Sequence, residues 1–118
     1  PANKIVLKTD RQTINADGRD VAIVTVEIQD AKGRIVPDAC PKLSFRLEGD
    51  GHIIGVGNGD PSYLGPDHPN DKDCKTFEIP AFNGLAQVLI QSNHQKGNIS
   101  LSAISEGLKP AQLNMNIQ

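Results

Sequence analysis

The chain has 118 residues, a hydrophobic fraction of 37%, a charged fraction of 22% and a formal net charge of −2. That length suits one domain with its own core, residues 1–118, and is too short for two. No apolar run approaches the roughly 20 residues of a membrane-spanning helix, and no basic stripe gathers to hold phosphates. Neither membrane insertion nor nucleic-acid binding is expected. The chain opens Pro1-Ala2-Asn3 and its only methionine is Met115, so it reads as a segment of a longer polypeptide.

From residue 4 onward the pattern has a period of two. Lys4 to Lys8 offers Ile5 and Leu7 as inward residues. After Asp17-Gly18 a long strand from Val21 puts Ala22, Val24, Val26 and Ile28 on one face, with Thr25, Glu27 and Gln29 on the other. Asp30 to Gly33 turns the chain, and Leu43, Phe45 and Leu47 then alternate with Lys42, Ser44, Arg46 and Glu48. Gly49-Asp50-Gly51 ends that run, and His52 to Val56 is a further short strand. Phe77 and Ile79 follow, then Ala86, Val88 and Ile90. Ile99, Leu101 and Ala103, and finally Leu113, Met115 and Ile117, complete the series. Asn83-Gly84 between two such runs is a strong hairpin signal, since both residue types tolerate positive φ. Lys96-Gly97-Asn98 predicts another tight turn.

Alternation of this kind is what burial of one face of an antiparallel sheet demands. No segment carries the apolar stripe of an amphipathic helix. Seven or eight short strands predict an all-β, immunoglobulin-like Greek-key β-sandwich, with a closed barrel as the alternative. The exception is 57–73, GNGDPSYLGPDHPNDKD, which has three Pro, three Gly, four Asp and no alternation. A connection this long is uncommon in a compact domain and is often an interface or a functional loop.

Residue types that carry chemistry are present but not arranged for it. Cys40 and Cys74 lie 34 residues apart in no zinc-binding pattern. They are either free thiols or a possible disulfide, which would stabilise by ~3 kcal/mol. His52, His68 and His94 have no nucleophile motif beside them. Glu27, Glu48 and Glu78 all fall on the outward phase of strands, where water solvates a carboxylate and pKa tuning is weak. Asn58, Asp60, Asp67, Asn70, Asp71 and Asp73 supply hard oxygen atoms of the kind calcium takes, and Asn15 to Asp20 is a second acidic turn. Neither has EF-hand spacing, so no metal or other cofactor is expected. Sugar-binding modules stack flat aromatic rings on their ligand, whereas this chain has no Trp and one Tyr. Only Tyr63 is placed to serve, which makes direct sugar binding doubtful.

Several runs are similar to one known family. Ile14 to Val21, Val24 to Asp30 and Gly33 to Pro37 resemble the opening of a C-terminal immunoglobulin-like domain of bacterial glycoside hydrolase family 2 enzymes, chiefly β-galactosidases. Phe45 to Gly49, Gly55 to Pro61, Ala81 to Ala86, Gly97 to Leu101 and Ser105 to Leu108 continue the likeness in order along nearly the whole chain. A looser likeness is to invasin and intimin repeats, which makes an adhesin spacer the alternative function, with a carbohydrate-binding module behind it. The family 2 resemblance implies a periplasmic or extracellular parent hydrolase whose catalytic glutamates lie in a separate barrel and have no counterpart here. It implies an accessory domain that packs on other domains of that enzyme or on its oligomer mates. Asn58, Gly59, Asp60, Tyr63 and His68, in the long loop, are then the candidate interface or cleft-rim residues. A bland account also suffices for the first three, since Gly57 and Gly59 open backbone conformations and Asn58 and Asp60 bond to backbone in turns.

Overall fold

Alternating residues build nine strands among the residues that the computed structural model describes, 2–59 and 74–118. They are β1 (Lys4–Thr9), β2 (Thr13–Ile14), β3 (Val21–Gln29), β4 (Lys42–Gly49), β5 (Gly51–Gly57), β6 (Thr76–Pro80), β7 (Leu85–Ser92), β8 (Gly97–Ile104) and β9 (Ala111–Ile117). Two sheets result, one in the order β1-β3-β7-β5 and one in the order β2-β9-β8-β4-β6. This is the two-layer sandwich expected of an immunoglobulin-like domain, and the two separate sheets set aside the barrel.

The inward phase is as expected. Ala22, Val24, Val26 and Ile28 of β3 are fully buried, and Leu43, Phe45 and Leu47 of β4 face them from the other sheet. Val88 and Ile90 of β7, and Ile99, Leu101 and Ala103 of β8, complete the centre. Leu7, Phe77 and Leu113 are only half-buried and pack on the rim of this core. Each fully buried Val, Leu or Ile contributes about 1.5–3 kcal/mol relative to exposure, so the shared face is what stabilises the pair of sheets.

Three details depart from the expectation. A ninth strand, β2, is two residues long and pairs in parallel with β9, Thr13 with Asn116 and Ile14 with Ile117. Two residues cannot display a period, so alternation could not reveal it. The Asn83-Gly84 turn forms with φ of 53° and 78°, and Phe82 and Leu85 exchange both backbone hydrogen bonds at 3.0 Å. Yet the strands beside it belong to different sheets, because β6 pairs with β4 while β7 pairs with β3 and β5. The turn is a corner between layers and not the tip of a ladder. The connection predicted at Lys96 to Asn98 lies earlier, at 93–96, and Gly97 already pairs with Ile117 in β8.

Candidate functional site

The long loop springs from the end of β5, on an edge of the four-stranded sheet. There Asn58 is 9% exposed, and its Nδ2 donates to the carbonyl of Pro80 at 2.8 Å. Pro80 ends β6, an edge strand of the other sheet, so the Asn58 amide staples the two layers together. Gly59 follows with φ of +77° and open space where a Cβ would stand, so the backbone conformation alone calls for glycine there. Gly57 does not have positive φ, and a Cβ would fit there too. Asp60, Tyr63 and His68 lie outside the described residues, as do the calcium-type acids Asp67, Asp71 and Asp73.

The chain is described again at Cys74, at the opposite end of this edge. Cys74 accepts a bond from the Ile53 amide at 2.9 Å, and the Lys75 carbonyl accepts one from Leu47 at 2.7 Å. The Lys75 Nζ donates to the carbonyl of Gly49 at 2.7 Å and to that of Gly51. A lysine head therefore gathers the β4–β5 corner to the foot of the loop. Nothing local marks Lys75 for this task, because its partners lie 24 and 26 residues away.

Both cysteines are free, Cys40 exposed and Cys74 buried. The β4–β6 ladder shows why the possible disulfide does not form in this fold. It pairs Lys42 with Pro80 and Arg46 with Thr76, so Cys40 lies beyond one end and Cys74 beyond the other. At ~3.3 Å per residue they stand on the order of 20 Å apart, while a disulfide needs Cα atoms within about 7 Å. The Cys74 thiol instead donates to the Thr76 carbonyl at 3.0 Å.

Several of the described carboxylates and histidines are occupied with structure. Glu27 sits on the outer face of one sheet, while Glu48 and Glu78 sit on the outer face of the other. Glu78 stands opposite Ser44, four residues along β4 from Glu48, which separates those two by about 13 Å. Paired glycosidase carboxyls stand roughly 5–10 Å apart, so no two of these three make such a pair. Glu27 also corrects the expectation of a solvated acid. Its side chain is 14% exposed and paired with Lys8 at 3.2 Å, and it accepts from Gln29 Nε2 at 2.9 Å. That Gln29 bond, more than the lysine, holds its pKa below the usual range.

In the acidic turn 15–20, Asp17 Oδ1 accepts from the backbone amides of Arg19 and Asp20, both at 2.8 Å. Asp20 is gripped by the Arg11 guanidinium, with Nη2 to Oδ2 at 2.7 Å. Its oxygens are committed to the fold. His52 faces Asn93 Oδ1 at 2.8 Å and Gln91 Oε1 at 3.2 Å, and the His94 ring covers Gly18. Among the described residues no group of three or more His, Cys, Asp or Glu is placed to hold a metal ion. Among the described residues, geometry thus offers Asn58 bonded across the sandwich edge to Pro80 and no reacting constellation.

Comparison with known proteins supplies the relationship. The family described as glycoside hydrolase family 2 C-terminal domain 5 matches residues 5–114. The chain is 38% identical over 115 residues to a β-galactosidase of Bacteroides ovatus, covering 98% of this chain but 13% of that protein. It superposes on a crystal structure of a glycosyl hydrolase family 2 member from Bacteroides cellulosilyticus with a TM-score of 0.91 and 29% identity, covering 100% of this chain and 14% of the other. A C-terminal fragment of intimin, in complex with the intimin-binding domain of its receptor, has a TM-score of 0.58 at 17% identity, covering 97% of this chain and 33% of that one. That last likeness carries the fold alone. The chain spans about one-seventh of the length of the family 2 proteins it matches, and it belongs to the glycoside hydrolase family 2 C-terminal domain 5 family.

Proposed function

We propose that this chain is the non-catalytic accessory sandwich of a β-galactosidase-like family 2 glycosidase, in which it packs against neighbouring domains. The observation that carries the reading is the pair of coverages. One relative at 38% identity takes in 98% of this chain with 13% of its own length. The carboxylates Glu27, Asp20, Glu78 and Glu48 support it, since each is held in an ion pair and no two of the strand glutamates are spaced as glycosidase carboxyls are. Hydrolysis then belongs to another part of the parent. The Asn58-Gly59 segment just after β5, held to Pro80, is where this chain meets a neighbour or the rim of a substrate cleft. We propose further that the parent is periplasmic or extracellular, which cell fractionation tests.

The direct test is an assay of clean 118-residue protein with aryl β-galactosides. No turnover is expected, and turnover that co-purifies with the protein would overturn the reading. Titration with galactosides and polysaccharides checks the sugar question. Absence of saturable binding is expected, and binding that vanishes in Tyr63→Ala would make the chain a sugar-binding module instead.

A further inference from the structure

The outer faces of the two sheets differ in kind. On the five-stranded sheet the outward side chains form polar cross-strand pairs. Ser44 donates to Glu78 at 2.9 Å, Lys42 pairs with Glu78 at 3.4 Å, and Gln112 donates to Ser100 at 2.7 Å. Ile104, at the end of β8, is the one outward-facing exposed large apolar residue there among those described. That surface suits water.

The four-stranded sheet is different. Ile23 of β3 lies directly opposite Leu89 of β7, and Leu85 lies opposite Glu27, which in turn faces Val6 of β1. Ile23 is 38% exposed and Leu85 39%, while Ile35, bridged to Gln29 at the same end, is 42% exposed. Val6, Val21 and Leu89 are half-buried around them. On this face Lys8 and Glu27 pair with each other, and Lys4, opposite Gln29 at the β1 edge, adds one further positive charge at the border. Gln87, Gln91, Thr25 and Gln29 fill the remaining outward positions of β3 and β7 beside them. An apolar centre with a polar border is the anatomy of an interface.

We infer that the outer face of the β1-β3-β7-β5 sheet, centred on Ile23, Leu85 and Leu89, is the surface on which another domain of the same polypeptide docks. The inference rests on the accessory-domain reading and adds to it the face that is covered. Its occupant follows from size and tethering. Half a dozen partly exposed side chains are far short of the roughly 1,600 Å² that holds two free proteins together. A domain joined through the chain acts at an effective concentration near millimolar, so a small contact is enough. The family 2 relatives carry about six-sevenths of their length outside the matched region, which supplies such a domain. The apolar centre, with Lys4 at its border, further specifies its surface as largely apolar with an acceptor or acidic group facing Lys4.

Photo-cross-linking in the full-length parent tests this. p-Benzoylphenylalanine is placed at Ile23 or Leu85, and at Ser102 on the opposite sheet as control. The expected result is intramolecular cross-links from positions 23 and 85 to peptides outside these 118 residues, with Ser102 at background. Cross-links from 23 and 85 to a second copy would overturn the inference, as would cross-links confined to position 102 or none from either face. Glycosidase activity of the same preparation is measured in parallel. A parent that cross-links as expected but hydrolyses no glycoside would refute the enzyme reading and leave the docking face standing. An active parent without these cross-links would do the reverse.

Discussion

Asp20 shows how much of this fold depends on single polar side chains at its turns. Its carboxylate accepts from the Arg11 guanidinium and from the Asn15 amide at 2.8 Å, binding the segment around β2 to the start of β3. The Arg11 hydrogen bond, with the Asn15 amide after it, lowers the Asp20 pKa to about 2. A depressed carboxyl contributes stability that is fully present above the unfolded value of about 4 and is lost as pH falls through the folded value. Between pH 4 and pH 2 the chain should therefore lose stability in urea titrations, and Asp20→Asn should flatten part of that slope. Asp17, Asp30 and Glu78 are lowered as well, so the acid limb shrinks in the variant without disappearing. Glycines are the other sensitive residues. A Cβ on Gly49, at φ +107°, would lie 2.0 Å from the Asn98 carbonyl oxygen, whereas one on Gly59 meets nothing. Thermal melts should show Gly49→Ala costing about 2–4 kcal/mol, and Gly59→Ala about 1–2 kcal/mol from its φ alone.

At the scale of strands, burial of one face decides stability. Phe45 is 2% exposed at the centre of the sandwich, so Phe45→Ala should cost about 3–5 kcal/mol in chemical denaturation. Lys42 on the outer face is exposed and pairs only with exposed Glu78, so Lys42→Ala should cost less than about 1 kcal/mol. A large loss there would mean that the strand phase is inverted. The strands were legible because the period-two signal is local and each run carries its own copy of it. Which sheet a strand joins is not local. The Asn83-Gly84 pair announced its backbone conformation correctly, yet residues as distant as Leu43 and Val24 decide that β6 and β7 part company there. The Asn58–Pro80 staple and the Lys75 grip on Gly49 are of the same kind, visible only once the chain has folded.

For the molecule as a whole, composition and periodicity reached the sandwich but not its employment. The candidate residues Asn58 and Gly59 were marked by their turn chemistry, and the structure places them immediately after β5. An interface is defined by what it touches, and that information lies in another part of the parent, so only the family likeness pointed to a role. The paths of the first and last strands carry one more consequence. Asn3 bonds to Lys109 at the start of β9, while Ala16, after β2, bonds to Gln118 at its end. The segment from β1 to β2 and strand β9 thus run the same way, and the two chain ends leave from opposite poles. Tension applied to those ends drags the two segments past each other. The Asn3–Gln29 hydrogen bond aside, the links Ile5–Lys109, Asn116–Gln12, Ala16–Gln118 and Gln118–Ile14 would then be loaded together in shear and not opened one at a time. A module wired in this way resists stretching, and single-molecule pulling should register one abrupt rupture.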